Sequence, residues 1–183
     1  MKNKLIYLAL AIALLFTGIE AVAKEKKVAS YPEVEKQIKE IKEKYSKIQK
    51  EKKTYQKRVY NGTGDDGENI TYNVYVNETE LKIIDVEVSG PGDAGSRTEI
   101  YYDKFKNFFV LESSESSTAL ANGKFKTDKS ENRYYFTNGK MIRWINEKTK
   151  EVDPKSDEFI RAAAEIKEKI MKISKDINKL KGN

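Results

Sequence analysis

Two segments near the ends of the chain carry apolar residues at alternating steps of three and four, the spacing of one face of an α-helix. In residues 31–53 these are Val34, Ile38, Ile41, Tyr45 and Ile48, and in residues 155–181 they are Phe159, Ala163, Ile166, Ile170, Ile173, Ile177 and Leu180. The pattern predicts two long helices with apolar seams as narrow as those of coiled coils. We expect the helices to pack antiparallel against each other. The alternatives are that both lie across a sheet or that the seams pair between protomers.

Between the two helices, over residues 54–147, aromatic and β-branched residues alternate with polar ones, which is typical of β-strands. The pattern predicts strands at 54–61, 69–77, 80–89, 97–103, 107–112, 131–137 and 140–146. Residues 113–130 are polar and are predicted to form a long loop. The connections are too short for parallel crossovers, so the sheet should be an antiparallel meander of six or seven strands in an α+β fold.

The first 23 residues have the three parts of a secretory signal peptide. A positive start is followed by twelve apolar residues from Leu5 to Phe16 and by Ala21-Val22-Ala23, the small-x-small pattern that signal peptidase accepts. Glu20 interrupts the apolar run before it reaches the length of about 20 residues that a membrane span needs. The sequence therefore predicts a signal peptide at 1–23, a single domain at 24–183, and a periplasmic or secreted protein.

Composition excludes several kinds of chemistry. The chain has no histidine and no cysteine, so it cannot carry a Ser-His-Asp or Cys-His nucleophile, a histidine-ligated zinc or a disulfide. The net charge of +6 would suggest nucleic acid, but the basic residues are mostly lysines that alternate with glutamates, as on a solvated helix face. With the export signal, this argues against a nucleic-acid partner. Contact of a basic helix with an anionic membrane surface stays open as an alternative.

The aromatic residues of the predicted strands are the most suggestive candidates for a binding surface. They stand on both faces of the sheet, as at Tyr101-Tyr102 and Tyr134-Tyr135. One face must be the core, and the other either meets covering helices or offers a platform to a ligand. If the platform exists, we expect Tyr75, Tyr101, Tyr134 and Trp144 to contact a ligand or partner.

The acidic residues offer two further candidate sites. Asp65, Asp66 and Glu68 lie on a short glycine-flanked turn and form a weak candidate for calcium, which prefers carboxylate ligands. Asp85 and Glu87 share one side of a predicted strand, as Glu99 and Tyr101 do, and a two-carboxylate hydrolase needs no histidine. Charge on the wet face of a sheet is the usual explanation of such carboxylates.

Two stretches of the sheet region repeat one pattern. Residues 99–102 before 108–110 resemble residues 132–136 before 141–144, and Asn138-Gly139 in the second copy is a two-residue hairpin signal. In the first copy Lys104-Phe105-Lys106-Asn107 stands in place of the Asn-Gly-Lys turn. These Tyr-Tyr-Phe and Asn-Gly-Lys phrases, over residues 97–147, resemble small secreted proteins of unknown function from Gram-negative gut and environmental bacteria. The resemblance implies an exported β-meander and no catalytic residue.

The sequence therefore predicts a non-catalytic exported binding protein. Its expected partner is a protein or a glycan of the cell envelope, and no cofactor or bound metal is expected. One alternative is an envelope protein that forms homo-oligomers or holds client proteins through its heptad helices, and a second is a histidine-free carboxylate hydrolase.

Overall fold

The computed structural model describes residues 31–90, 95–119 and 125–182. The chain forms helix α1 (Pro32–Glu51), a 3-10 turn (Lys52–Thr54), seven strands and helix α2 (Asp157–Lys181). The strands are β1 (Gln56–Thr63), β2 (Asn69–Asn77), β3 (Glu80–Ser89), β4 (Gly95–Asp103), β5 (Lys106–Ala119), β6 (Phe125–Thr137) and β7 (Lys140–Ile145). The predicted signal peptide lies outside the described residues. Within the described ranges, no helix has the length and apolar character needed to span a membrane.

The seven strands form one sheet in the order in which they follow along the chain, and every neighbouring pair is antiparallel. The predicted α+β fold with an antiparallel meander is therefore confirmed. The bounds of β2 and β3 agree with the alternation of apolar and polar residues in the sequence. The α2 helix begins where the Ser156 hydroxyl accepts a hydrogen bond from the Phe159 amide at 3.1 Å, the geometry of a helix N-cap.

Three hairpins at one end of the sheet share one construction. The β2–β3, β4–β5 and β6–β7 hairpins each turn in two residues, and each has a register shift beside the turn that leaves one residue of the second strand without a partner. The unpartnered residues are Lys82, Phe108 and Ile142. The repeat seen in two copies of the sequence is thus a structural motif used three times.

The bulges explain how consecutive aromatic residues are accommodated. A bulge lets two successive side chains face the same side of a sheet, and Phe108 and Phe109 both join the hydrophobic cluster under α1. Beyond the bulge, strict alternation returns: Tyr101 lies in the cluster under α1 and Tyr102 in the cluster under α2.

The prediction of a long loop at 113–130 is wrong. Strands β5 and β6 continue past the core as a paired hairpin, with Glu115 opposite Lys129 and Ala119 opposite Phe125. Polar contacts between the strands include a 2.8 Å hydrogen bond between the Ser114 and Ser130 hydroxyls. The sequence signal was absent because side chains here are mostly exposed, and a strand that buries neither face shows no apolar alternation.

The two helices lie on opposite faces of the sheet, so the expected antiparallel pairing between them is wrong. The seam of α1 (Ile38, Ile41 and Ile48) packs with Ile83, Tyr101, Phe109 and Tyr135. The seam of α2 (Phe159, Ala162, Ile166, Ile173 and Ile177) packs with Val74, Ile84, Ile100, Val110 and Tyr134. Each seam is buried within its own chain against the sheet, the arrangement that the sequence left open as an alternative.

Candidate functional site

Helix α1 covers only part of its face of the sheet. Ile83, Tyr101, Phe109 and Tyr135 are register partners across β3 to β6, and they form the apolar row directly beneath the helix. Arg143 on β7 fixes the amino-terminal end of α1 through an ion pair with Glu35. One pleat further along the strands, the side chains change from apolar to charged.

The charged row contains an ion cluster built on cross-strand neighbours. Asp85 on β3 lies directly opposite Glu99 on β4, and both are buried, with only 1% and 7% of their surfaces exposed. Arg97 donates two hydrogen bonds of 2.7 Å to the Asp85 carboxylate and a third of 3.2 Å to Glu99. Lys52, just past the end of α1, approaches Asp85 at 3.7 Å and Glu99 at 3.5 Å.

The contacts of the cluster change the pKa values of two of its side chains, Arg97 and Tyr101. The bidentate hydrogen bond to Asp85 raises the pKa of Arg97 above its usual value, so the guanidinium keeps its charge at any physiological pH. Burial raises the pKa of the neighbouring Tyr101 hydroxyl, and the negative charge of Glu99 raises it further. That hydroxyl accepts a hydrogen bond from the Gln49 amide at 2.5 Å. The cluster therefore places two buried carboxylates in contact with two basic side chains.

This arrangement is poorly suited to the carboxylate chemistry of a hydrolase. Such an enzyme needs one carboxyl group that can hold a proton and a second that faces the substrate. Asp85 and Glu99 are instead adjacent on one sheet surface, buried and shared by the same two cations. Charge neutralisation within the sheet accounts for both of them.

An open polar cleft lies beyond the cluster on the same face. Its volume is about 790 Å³, and its floor is formed by β3 to β6 where α1 no longer covers them. Several of the residues that line it bear hydroxyls: Thr71, Ser89 and Ser113 lie at α1-face positions of their strands and Thr149 lies beyond β7, whereas Ser96, Ser114 and Ser130 lie at positions that alternate to the α2 face. Charged side chains of both signs alternate with them: Glu87, Arg97, Glu115, Lys129, Glu131, Arg133 and Glu147. No aromatic side chain is present among the described residues that line this cleft.

Arg97 joins the buried cluster to the cleft. Its side chain is 42% exposed, while the carboxylate of Asp85 that it binds is only 2% exposed. The guanidinium therefore forms part of the cleft wall with one edge and satisfies the buried carboxylate with the other. A smaller cavity of about 230 Å³ between α1 and the sheet continues the cleft, since Glu131 and Arg133 line both.

The four aromatic residues expected to form a platform do not lie together. Tyr75 and Tyr101 lie on the α1 face, and Tyr134 and Trp144 on the α2 face. Tyr101, Tyr134 and Trp144 are buried, at 0%, 5% and 8% exposure. The two aromatics of the α2 face stack on each other at 5.8 Å between ring centroids. In this structure these three residues are part of the core because helices cover both faces.

Tyr75 is the one member of the set that is half-buried. The ammonium of Lys52 lies 4.6 Å from the centre of its ring, and that of Lys57 lies 5.8 Å away. The ring is thus a contact for cations of the same chain, at the edge of the ion cluster. It does not line the polar cleft.

The calcium candidate falls on the turn between β1 and β2. The side chain of Asp65 is 97% exposed, and the Glu68 carboxylate accepts a hydrogen bond from the Asp66 amide at 3.1 Å. Among the described residues, no group of three or more acidic side chains is arranged to hold a metal ion. The calcium site therefore stays a weak prediction of the sequence alone.

Sequence reasoning named the carboxylates but missed the basic residues that bind them. The signal was available: polar residues at 85, 87, 97 and 99 interrupt two otherwise apolar strands, and an antiparallel register places Glu87 opposite Arg97. Lys52 could not be found in this way, because its contact depends on where α1 crosses the sheet. Comparison with protein-family models, curated proteins and solved structures finds no match to this chain.

Proposed function

We propose that the protein is a non-catalytic exported binding module, and that its ligand is held in the polar cleft on the α1 face. The observation that carries the proposal is the cleft of about 790 Å³ that α1 leaves open over the ends of β3 to β6. A concave surface of this size is a common form of ligand site, and polar groups in such a site fix the orientation of the ligand.

The chemistry of the wall favours a polar ligand that carries hydrogen-bond donors and acceptors. Serine and threonine hydroxyls act as both donor and acceptor, and the arginine and glutamate side chains fix the orientation of charged groups. The rigid floor supports this use, because paired strands hold the hydroxyls in fixed positions. A glycan or an extended protein segment of the cell envelope has the required groups, and the site replaces the aromatic platform that the sequence suggested.

The non-catalytic part of the proposal is supported by the state of the buried carboxylates. Asp85 and Glu99, the acidic residues beside the cleft that are best shielded from water, are engaged by Arg97 and Lys52. The chain also has no histidine or cysteine that could act as a nucleophile or general base. Oligomerisation through the heptad seams has less support, since both seams are buried against the sheet of their own chain.

The test is capture of ligand from a cell-envelope extract by the immobilised protein. Ser89→Trp fills an exposed position of the cleft wall, and Val59→Trp places the same ring at an exposed position of the same sheet face outside the cleft. We expect the wild type and Val59→Trp to retain the same component and Ser89→Trp to bind it about tenfold less tightly or worse, a loss of about 1.4 kcal/mol or more. Treatment of the extract with protease or periodate identifies the ligand as protein or glycan. Capture that Ser89→Trp does not weaken would refute the proposal.

A further inference from the structure

A second concave surface lies on the opposite side of the molecule, between the first turns of α2 and the edge of the sheet. It is an open groove of about 750 Å³, formed where α2 meets the β6–β7 hairpin. Its inner part consists of the buried side chains of Phe136, Met141 and Phe159. The groove is separate from the polar cleft, with which it shares no lining residue.

The groove leaves large apolar side chains in contact with water. Ile160 and Met171 line it and are 60% and 57% exposed. They lie eleven residues apart on α2, which is three helical turns, so both project from the same side of the helix. Apolar area of this kind is unusual on the surface of a protein unless something covers it. Methionine adapts its shape readily to an occupant.

The polar side chains among the described residues that line the groove are those of Asn107, Lys140 and Lys167. Both lysines are exposed, and in the described part of the chain neither takes part in an ion pair. No aspartate or glutamate is among the described residues that line the groove. An occupant would therefore meet an apolar interior and a positive rim with no competing negative charge.

We propose that this groove binds a single long acyl chain with an anionic head group, such as a fatty acid. The hydrocarbon lies along Phe136, Met141 and Phe159 and covers Ile160 and Met171, and the head group is neutralised by Lys140 and Lys167. The positive charges of the two lysines favour this anionic occupant over a neutral one. The volume accommodates one chain, and the small number of hydrogen-bonding groups disfavours a polar ligand.

The experiment is calorimetric titration of the purified protein with tetradecanoate below its micellar concentration, beside decanoate, dodecanoate and tetradecanol. We expect one acyl chain bound per protein, with affinity falling roughly tenfold for each two methylenes removed. The neutral alcohol should bind more weakly than the acid of equal length. A double change of Lys140→Ala with Lys167→Ala should remove the difference between acid and alcohol, whereas Lys175→Ala, an exposed lysine elsewhere on α2, should leave it unchanged.

Blocking the groove separates this proposal from other occupants. Ala164→Trp places a large ring in the groove at an exposed helix position and should abolish binding of tetradecanoate without unfolding the protein, as checked by thermal melting. Absence of binding to the wild type, or binding that survives Ala164→Trp, would overturn the proposal. So would association only with anionic phospholipid vesicles, or a concentration-dependent dimer that Ala164→Trp disrupts, since these identify a membrane surface or a second copy as the occupant.

Discussion

The two faces of the sheet use adjacent rows of the same strands in opposite ways. The row of Ile84, Ile100, Val110, Tyr134 and Trp144 faces α2 and is apolar across five strands. The neighbouring row of Asp85, Glu99, Leu111, Arg133 and Ile145 faces the α1 side and carries three charges. Rows one residue apart along each strand therefore face opposite sides of the sheet. One row is entirely apolar, and the other combines apolar with charged side chains.

The difference lies in how polar groups are satisfied. On the α2 face, the Glu112 carboxylate accepts a 2.8 Å hydrogen bond from the Tyr134 hydroxyl and forms an ion pair with Lys169, so the helix itself supplies the cation. On the α1 face, the main partner of Asp85 is Arg97 from the next strand. Because Arg97 comes from the sheet, the Asp85 carboxylate does not depend on a helix for this partner. The α1 face can therefore stay uncovered beside Arg97.

The largest effect should come from removing the cation that satisfies Asp85. In Arg97→Met, the carboxylate stays buried with only Lys52 at 3.7 Å, and we expect the free energy of unfolding to fall by about 2–4 kcal/mol. In the matched variant Lys169→Met, the partner carboxylate of Glu112 is more accessible to water, and we expect a loss of about 1 kcal/mol or less. Urea unfolding at neutral pH measures both.

The double variant Arg97→Met with Asp85→Asn completes the comparison. Because the uncompensated charge is then gone, its loss should be smaller than the sum of the two single losses. Equal losses for Arg97→Met and Lys169→Met would show that the two faces hold their charges in the same way, contrary to our interpretation.

Alkaline pH should weaken the α2 face through its buried tyrosines. Burial raises the pKa of Tyr102 from the usual 10 to about 12. The folded state keeps this proton between these values while the unfolded state releases it, so stability is intact below pH 10 and falls as pH rises towards 12. A difference of two pKa units corresponds to a loss of at most about 2.7 kcal/mol in the free energy of unfolding. Tyr102→Phe should reduce the slope of unfolding free energy against pH between 10 and 12.

The control for the alkaline experiment is Tyr31→Phe, at a position that is 60% exposed. Both variants are compared with the wild type by urea unfolding at pH 9, 10 and 11. If Tyr102→Phe keeps the full slope of the wild type, Tyr102 does not carry the proton linkage, and the alkaline sensitivity must come from other groups.

The sequence predicted the elements well where burial alternates and poorly where it does not. Strands β2 and β3 were predicted residue for residue, because each has one or both faces in the core. The 113–130 segment was missed, because its side chains are polar and mostly exposed and show no apolar alternation. The surface against which each helix packs could not be predicted either. A narrow apolar seam such as Ile166, Ile173 and Ile177 can pack on a sheet as well as on another helix.

The candidate site was less predictable than the fold. The sequence places aromatic residues on both faces of the sheet, and the structure covers each face with a helix. The cleft is lined by serines, threonines and charged residues whose common surface depends on the register of β3 to β6 and on where α1 ends. Neither is visible in the sequence before the fold is known.

The smallest expected effect concerns the hairpin ends, which decide which residue faces which helix. Lys104 and Phe105 adopt positive φ angles of 49° and 65°, as Asn138 and Gly139 do at 52° and 76°. Asparagine and glycine tolerate this conformation, while a lysine and a phenylalanine are strained in it. The double change Lys104→Asn with Phe105→Gly should therefore stabilise the protein by about 1 kcal/mol, measured by urea unfolding.

The reverse exchange, Asn138→Lys with Gly139→Phe, is the control and should destabilise the protein by a similar amount. Both exchanges keep a two-residue turn, so the bulges at Phe108 and Ile142 and the assignment of side chains to the two faces should persist. The 2.8 Å hydrogen bond from the residue 104 amide to the Glu80 carboxylate uses the backbone and survives the change. A loss of stability on introducing Asn-Gly at 104 and 105 would mean that the Phe105 side chain contributes more than its backbone strain costs. If the two exchanges change the unfolding free energy by different amounts, the strain of the turn residues is not the same in the two hairpins.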